Sequence, residues 1–297
     1  MDYEEMKGAY SALFTPYTKD NRINTEMVGR MVEHQLAGGL RGFFVAGSTG
    51  EGLLLTLEER KVLLEAAVKA NRGRGKVIAH VGAVRTEDSV ALARHAADTG
   101  ADWVSSVPPV YFAQTFEGTL YHYRQIAEAT DLPFMVYAFN TTVEPERDAQ
   151  LFKIRNLTGM KFTNSNYYSI QQLQLKLDAP ALFLSGKDEL MVAALAMGGF
   201  QGGIGTTYNL LPGHFAEICR RVLDANDVAA ARPLQAEANA VIALMLKYGN
   251  MSYAKLMMRF IGLDCGTCRG PFPPVSEEQY ARLAEELRAQ GILKEVR

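Results

Sequence analysis

The sequence has 297 residues, of which 48 % are hydrophobic and 22 % are charged, and its formal net charge is -2. These proportions provide for a large buried core and argue against extensive disorder. Charges of both signs are interspersed without a basic stripe, which argues against nucleic acid or an anionic membrane as a partner.

Eight short apolar runs, many of them rich in β-branched or aromatic residues, recur along the chain, and each is followed by an amphipathic segment. Fully apolar runs of this length are typical of parallel strands that are covered on both faces. They recur about every 20 to 35 residues, which is the span of one βα unit. The predicted strands are Ala9–Phe14, Gly42–Ala46, Val77–Val81, Trp103–Val107, Pro133–Tyr137, Gly159–Phe162, Ala181–Ser185 and Gly202–Gly205.

The segments between these runs carry helix signals. We predict a helix with Thr25 as its N-cap, and Thr56 and Glu59 have the spacing of a capping box at the next helix. Gly100 predicts the end of a third helix. Beyond Pro212 the pattern is helical only.

Eight βα units within about 200 residues favour an α/β fold, a (β/α)8 TIM barrel, over a doubly wound open sheet. The helical pattern at the end of the chain predicts a C-terminal helical extension. We therefore divide the chain into a barrel, residues 1–220, and a C-terminal helical region, residues 221–297.

Reacting groups of a TIM barrel lie at the C-terminal ends of the strands and in the loops that follow. The second predicted strand leads into the loop Gly47–Gly52, and the fourth leads to Tyr111. The fifth ends at Tyr137 and the sixth carries Lys161. The seventh and eighth end in SGKDE and GGIGTTYN. A functional site is expected among these positions.

Lys161 interrupts an otherwise apolar strand. Side chains alternate along a strand, so Gly159, Lys161 and Thr163 share one face. Met160 and Phe162 suit the helix-covered exterior, and Lys161 then points into the barrel. Burial of an amine favours its uncharged form, which is the nucleophile that condenses with carbonyl compounds. The alternative is a lysine at a frayed strand end that is salt-bridged or reaches solvent.

Tyr137 closes the neighbouring predicted strand and could bring a phenol close to Lys161. A phenol can carry protons to and from a carbinolamine, as Schiff-base chemistry requires. The alternative is an ordinary aromatic residue of the barrel.

The Gly47–Gly52 loop lacks the Gly-Lys-Ser/Thr ending of a phosphate-binding loop. Two hydroxyls flanked by glycines, with free backbone N–H groups, would suit a small carboxylate. The alternative is a tight turn that ends in a helix cap, and the small residues of GIGTTYN could serve only close packing of the eighth strand.

Taken together, GSTGE, the Tyr137 strand, GMKFT, SGKDE and GGIGTTYN resemble, in order and spacing, the pyruvate-dependent class I aldolases. This family includes N-acetylneuraminate lyase and dihydrodipicolinate synthase, and the resemblance covers nearly the whole chain. It implies that Lys161 forms a Schiff base with pyruvate and that Tyr137 is the acid/base residue. It also implies that Ser48 and Thr49 hold the pyruvate carboxylate, and that Tyr111 reaches the site of a neighbouring subunit.

Within this family, SGKDE and GTTYN look like the N-acetylneuraminate lyase branch. The resemblance implies cleavage of a 2-keto-3-deoxy sugar acid, with N-acetylneuraminate giving pyruvate and N-acetylmannosamine. It further implies a homotetramer that binds a small keto acid and uses no cofactor beyond the covalent Schiff base. The substrate-binding residues that it implies are Gly47, Thr163, Gly186, Asp188, Glu189, Gly205 and Thr206.

Two features depart from the family pattern. The residues after Tyr137 are Ala138–Thr142 in place of the usual Asn-Ile-Pro, and Arg147 does not match the arginine of the synthase branch. The enzyme alternatives are dihydrodipicolinate synthase, which this mismatch disfavours, and another 2-keto-3-deoxy acid aldolase. The non-enzyme alternative is a sugar-acid-binding regulatory barrel.

The cysteines and the N-terminus bear on cofactor and compartment. Cys219, Cys265 and Cys268 are too few for a disulfide framework, and the Cys265–Cys268 spacing lacks a second ligand pair for zinc. We therefore expect no metal site. The N-terminal MDYEEMKGAY has no apolar stretch of a secretory signal, and no apolar run is long enough to span a membrane. We expect a cytoplasmic protein.

Overall fold

The computed structural model describes residues 3–112, 114–249 and 251–296. Eight parallel strands pair in chain order, and the last pairs with the first, so the sheet closes into a barrel. The predicted (β/α)8 fold is confirmed. The strands are β1 Gly8–Ala12, β2 Gly42–Val45, β3 Lys76–His80, β4 Trp103–Ser106, β5 Phe134–Phe139, β6 Leu157–Thr163, β7 Leu182–Ser185 and β8 Gly202–Gly205.

Among the described residues, a helix follows each strand, and three more helices follow the barrel. The one after β5 is a single turn that continues as the 3₁₀ helix Ala149–Lys153. The helices are α1 Thr25–Ala37, α2 Leu57–Asn71, α3 Thr86–Thr99, α4 Phe116–Glu128, α5 Pro145–Asp148, α6 Tyr167–Gln174, α7 Met191–Ala196, α8 Pro212–Cys219, α9 Val228–Tyr248, α10 Met251–Phe260 and α11 Glu277–Gln290.

Two of the predicted helix ends agree with the structure and one does not. Thr56 and Glu59 form the predicted capping box of α2, and Gly100 ends α3 with φ of 90°. The N-cap of α1 is Asn24 rather than Thr25, because the Asn24 side chain accepts the hydrogen bond from the Met27 N–H at 3.1 Å. Asparagine is at least as good an N-cap as threonine, so the helix begins one residue earlier than predicted.

Both faces of the barrel are packed, which explains why the strands are mostly apolar. Outward-facing side chains such as Met160 and Phe162 join the large core between sheet and helices. A second, smaller core fills the barrel interior, as is usual for this fold. Its members from the strands are Tyr10, Ala12, Phe44, Ile78, Trp103, Met135, Tyr137, Leu182, Leu184 and Ile204.

The helices that follow the barrel pack onto it. A π-helical turn, Arg220–Asp224, joins α8 to the segment before α9, and α9 contacts both α7 and α8. α10 contacts α9 and α11. The division of the chain at residue 220 stays a prediction. Within the described part of the chain, no helix combines the length and apolar character needed to cross a bilayer.

Candidate active site

The pairing of β5 with β6 places Tyr137 directly beside Lys161. Lys161 is 4 % exposed, and its Nζ lies 3.9 Å from the centroid of the Tyr137 ring and 4.3 Å from that of Phe44. The outward packing of Met160 and Phe162 agrees with the predicted inward direction of Lys161. Lys161 is thus not a frayed, solvent-exposed end, and within the described residues it forms no ion pair.

Three aromatic rings hold the Tyr137 ring by edge-on contacts. Phe44 meets it at 5.6 Å and 83°, His80 at 6.0 Å and 86°, and Phe139 at 5.6 Å and 64°. Such T-shaped contacts are the favoured arrangement of aromatic pairs, so the phenol has one well-defined direction. Sequence reasoning missed Phe44 and His80, although both lie in predicted strands whose ends border the site.

His80 is a neutral histidine at the end of β3. Burial lowers the pKa of its imidazole well below the usual value, and the charges of Arg60 and Lys161 lower it further. Nδ1 lies 3.0 Å from the Ala46 carbonyl, and the Val107 N–H points at Nε2 at 3.4 Å. A neutral ring that donates from Nδ1 and accepts at Nε2 satisfies both contacts. His80 therefore ties the end of β3 to the loops beside Tyr137.

Arg60 supports this corner from α2. Its guanidinium is buried and donates to the carbonyls of Gly82 at 2.8 Å and His80 at 2.5 Å. Burial lowers the pKa of Arg60 to about 10. The Arg60 guanidinium of α2 thereby fixes the end of β3, which borders the site.

The loop after β2 is compact and lies against the barrel mouth. A Cβ at Gly47 would lie 2.5 Å from the Phe44 ring, and a Cβ at Gly52 would lie 1.8 Å from the Ala46 carbonyl oxygen. Only glycine fits such close approaches. The Thr49 hydroxyl lies 2.7 Å from that of Thr206 at the end of β8.

The structure thus brings Thr49 and Thr206 together at the barrel mouth. Thr49 is 6 % exposed, whereas Ser48 lies on the exposed surface of the turn. The two threonine hydroxyls can both orient toward a small polar ligand, because a hydroxyl donates one hydrogen bond and accepts two.

Thr163 and Gly186 form a second polar corner. Thr163 Oγ1 is buried and has no hydrogen-bond partner among the described residues. A Cβ at Gly186 would lie 1.9 Å from that oxygen, so glycine is required beside it. A buried hydroxyl without a partner is unfavourable unless a ligand supplies one.

Asp188 provides a buried carboxyl group after β7. Its Oδ2 accepts hydrogen bonds from the Thr207 N–H at 2.8 Å and the Thr207 hydroxyl at 2.6 Å. Burial raises the pKa of Asp188 to about 6, against the lowering effect of these bonds. A Cβ at Gly205 would lie 2.3 Å from Oδ1, so a glycine is needed there. Glu189 instead forms a partly exposed ion pair with Lys187 at 2.9 Å.

Tyr111 is not brought to the other predicted residues within one chain. It is 89 % exposed, has φ of 75°, and its ring packs edge-on against Phe112. Positive φ is uncommon for a tyrosine, so the loop holds this ring outward at a cost in backbone energy.

The cysteines of the C-terminal region lie in buried surroundings. Cys265 and Cys268 are buried free thiols, and burial raises the pKa of each to about 12. A thiolate is the reactive and metal-binding form, so these groups are poorly suited to either role at neutral pH. No group of three or more histidine, cysteine, aspartate or glutamate side chains is arranged for a metal within the described ranges.

The arrangement suits addition of an amine to a ketone. Lys161 supplies the amine, Tyr137 a phenol for proton transfer, and the loop after β2 supplies hydroxyls for an anionic group on one side. Thr163 and Asp188 can bind hydroxyl groups further along the ligand. These groups are chemically suited to a polar keto acid with a hydroxylated chain.

Comparison with known proteins gives a consistent result. Residues 5–290 match the model of the dihydrodipicolinate synthetase family. An N-acetylneuraminate lyase of Rhizobium meliloti is 36 % identical over 285 residues, which cover 95 % of this chain and 94 % of that relative. A crystal structure of N-acetylneuraminate lyase from Mycoplasma synoviae superposes with a TM-score of 0.89 at 30 % identity, covering 97 % of this chain and 99 % of that one.

A synthase structure is similar to the same degree. Dihydrodipicolinate synthase from Aquifex aeolicus superposes with a TM-score of 0.89 at 27 % identity, and the match covers 97 % of this chain and 99 % of that one. The fold is therefore common to both kinds of relative, and side chains at the barrel mouth have to distinguish them.

Proposed function

This chain belongs to the dihydrodipicolinate synthetase family, a family of class I aldolases, and we propose that it cleaves N-acetylneuraminate to pyruvate and N-acetylmannosamine. The observation that carries the proposal is the position of Lys161, an amine in the barrel interior with its Nζ 3.9 Å from the ring centroid of Tyr137. Lys161 forms no ion pair with a described residue, and a buried amine beside a phenol is suited to be a nucleophile toward a carbonyl carbon.

The reaction begins when the uncharged Lys161 amine adds to the C2 keto carbon of the sugar acid. The keto oxygen receives one proton from the amine nitrogen and a second from the Tyr137 phenol, and then leaves as water. The product is an iminium ion that bonds Lys161 to C2. Since this cation is itself an electron sink, the chemistry requires no metal or organic cofactor.

Cleavage then follows from the iminium. The C4 hydroxyl gives its proton to the Tyr137 phenolate, the C3–C4 bond breaks, and its electron pair moves into the enamine while the aldose leaves as an aldehyde. Protonation of C3 and hydrolysis release pyruvate and restore the Lys161 amine. Hydroxyls of Ser48 and Thr49, with the backbone at Gly47, hold the carboxylate and keep C2 beside the amine throughout.

The residues that would bind the sugar chain support a lyase. Thr163 Oγ1 is buried without a partner, and Asp188 offers a carboxylate oxygen beside Gly205. Gly186 leaves room for Thr163, while Glu189 and Thr206 border the same end of the barrel. Fixed acceptors at several points suit a chain of hydroxyls better than an aldehyde with one polar end.

The position of Arg147 favours the lyase over the synthase. Its guanidinium donates to Glu144 at 2.6 Å and Asp148 at 2.7 Å, and it lies over the Phe116 ring. An arginine with two carboxylate partners on the outer layer of the barrel is not available to bind the carboxylate of a second substrate.

We also propose a homotetramer in which Tyr111 contributes to a neighbouring subunit's site. The support is its 89 % exposure and its outward direction, which leave the ring without a role in its own chain. Light scattering at several protein concentrations tests the assembly, and a stable monomer with full activity would contradict it.

Trapping tests the chemistry. Incubation with pyruvate and borohydride reduces an iminium to a stable secondary amine, which intact mass spectrometry detects. We expect one adduct per chain in the wild type and none in Lys161→Ala. An adduct that persists in Lys161→Ala, or its absence from the wild type, would contradict the proposal.

Pyruvate release identifies the substrate. A panel of 2-keto-3-deoxy sugar acids is assayed with lactate dehydrogenase as the coupling enzyme, and aspartate semialdehyde plus pyruvate is assayed for condensation. We expect the highest kcat/KM with N-acetylneuraminate. Binding of the sugar acid by calorimetry with equal affinity in wild type and Lys161→Ala, without pyruvate release, would instead identify a regulatory barrel.

A further inference from the structure

A fully buried ion pair joins the loop after β2 to the C-terminal helices. Lys255 of α10 donates from Nζ to Glu51 Oε1 at 2.9 Å, and neither side chain has any solvent exposure. The same ammonium donates to the Thr267 carbonyl at 3.1 Å and lies 4.0 Å from the centroid of the Tyr17 ring. The two partners are 204 residues apart in sequence.

The second oxygen of Glu51 is also held from the C-terminal region. Oε2 accepts the backbone N–H of Arg269 at 2.8 Å. The guanidinium of Arg269 in turn binds the Glu59 carboxylate of α2, with one contact at 2.8 Å and the other at 2.5 Å. The Glu51 carboxylate therefore has a fixed position that depends on two separate segments of the C-terminal region.

Stability alone does not account for such a pair. Removal of two charges from water costs about as much as their attraction returns, and well-packed apolar residues often serve as well. Glu51 is moreover in the left-handed backbone region, with φ of 56°, which is unfavourable for a residue with a Cβ. The buried pair and the unfavourable backbone at Glu51 therefore serve to fix the geometry of the loop rather than to stabilise the fold.

The geometry in question is that of the loop after β2, to which the proposed function assigns the keto-acid carboxylate. The Glu51 N–H donates to the Ser48 carbonyl at 3.0 Å, and Thr49 lies two residues before Glu51. Thr15 Oγ1 holds the intervening Gly50 carbonyl at 2.5 Å. A shift of the Glu51 side chain would open this turn and move the hydroxyls of Ser48 and Thr49.

We propose that Glu51 and Lys255 are positioning residues, which fix the loop after β2 for the carboxylate of the keto acid. The C-terminal helices thereby contribute to the substrate site through the loop after β2. This inference rests on the proposed function, since it assigns the loop to the carboxylate of a Schiff-base substrate.

Lys255→Met tests the pair by removing the ammonium at similar side-chain length. Because it leaves Glu51 buried and unpaired, the double variant Glu51→Gln/Lys255→Met is made as well, which removes both charges and retains an acceptor for the Arg269 N–H. Adduct formation is measured against concentration for pyruvate and for methyl pyruvate, whose ester carries no negative charge.

We expect the pyruvate concentration that gives half-maximal trapping to rise about tenfold or more in the double variant, because misplacement by about 1 Å can reduce rates a hundredfold. The value for methyl pyruvate should change less than about twofold. A purely structural role would raise both values together or leave both unchanged, and either result overturns the proposal.

Arg259→Met is the matched control. Arg259 lies on the same helix and pairs with Glu277 at 2.9 Å on the surface, away from the loop. For Arg259→Met we expect the same half-maximal trapping concentrations as in the wild type, with pyruvate and with methyl pyruvate. Absence of a pyruvate adduct in the wild type would contradict the proposed function itself, whereas a wild-type adduct with an unaltered double variant would contradict only the role of Glu51 and Lys255.

Discussion

Replacement of Gly186 with alanine tests whether Thr163 binds the sugar chain. A Cβ at position 186 would lie 1.9 Å from Thr163 Oγ1 and 2.9 Å from Thr163 Cβ, well inside van der Waals contact. The Gly186 backbone cannot retreat easily, because its N–H donates to the Phe162 carbonyl at 2.8 Å. The Thr163 side chain must therefore rotate and its backbone must shift slightly, and the hydroxyl leaves the position from which it would bind the sugar chain.

The size of the effect follows from the state of that hydroxyl. Thr163 Oγ1 is buried without a partner among the described residues, so the substrate would supply its hydrogen bond. Loss of a hydrogen bond at a buried polar group costs about 1–3 kcal/mol. For the sugar acid, kcat/KM should therefore fall about 5- to 150-fold. Overpacking should also lower the free energy of unfolding by about 1–3 kcal/mol.

Two assays separate the halves of the substrate. Pyruvate release from N-acetylneuraminate, coupled to lactate dehydrogenase, reports the whole substrate, and borohydride trapping with pyruvate alone reports only the keto-acid half. We expect the loss in the first assay and an unchanged half-saturating concentration in the second. The control is Gly29→Ala on α1, where an added Cβ meets nothing within 4 Å. Equal losses in both assays, or none in the first, would refute the assignment of Thr163 to the sugar chain.

Three further substitutions test other parts of the site. Tyr137→Phe keeps the aromatic contacts but removes the phenol, so kcat in the coupled assay should fall about 10²- to 10⁴-fold; an unchanged kcat would exclude Tyr137 as the proton carrier. Thr49→Val removes a hydroxyl of the loop after β2. It should lower kcat/KM about 10- to 150-fold for every keto acid, since hydrogen bonds to charged groups contribute about 1.5–3 kcal/mol. A loss confined to one sugar acid would contradict the assignment of Thr49 to the carboxylate. Burial raises the pKa of Asp188 from 3.8 to about 6, so the free energy of unfolding of the wild type falls as the pH rises between these values. In urea unfolding, Asp188→Asn should therefore be more stable than the wild type at pH 8 but not near pH 4. A difference in stability that does not change with pH would count against this pKa shift.

The sequence predicted the barrel well because its strands are buried on both faces. Each strand is then a largely apolar run, and each observed strand begins and ends within two residues of its predicted ends. The direction of Lys161 followed from the same alternation, since Met160 and Phe162 were recognisable as outer residues. Local patterns of this kind depend on neighbours in sequence, and they need no knowledge of distant contacts.

The parts that sequence reasoning missed are contacts between distant elements. Glu51 lies in a recognised loop, but nothing near it in sequence indicates that Lys255 pairs with it 204 residues later. His80 lies within a predicted strand, yet its role depends on the ring of Tyr137 and the carbonyl of Ala46. Each such contact needs the closed barrel and the docked C-terminal helices before it exists.

The choice between lyase and synthase depends on single side chains, because the backbone is equally compatible with both. A synthase needs a cation near the distal end of the pocket for the carboxylate of its second substrate, and Arg147 is occupied by Glu144 and Asp148 outside the barrel. The end of β6 and the segment after β7 instead carry Thr163 and the carboxyl of Asp188. A negatively charged second substrate would meet an acidic group there, whereas a polyol would meet hydrogen-bond acceptors, so the electrostatics of the distal end favour cleavage of a sugar acid.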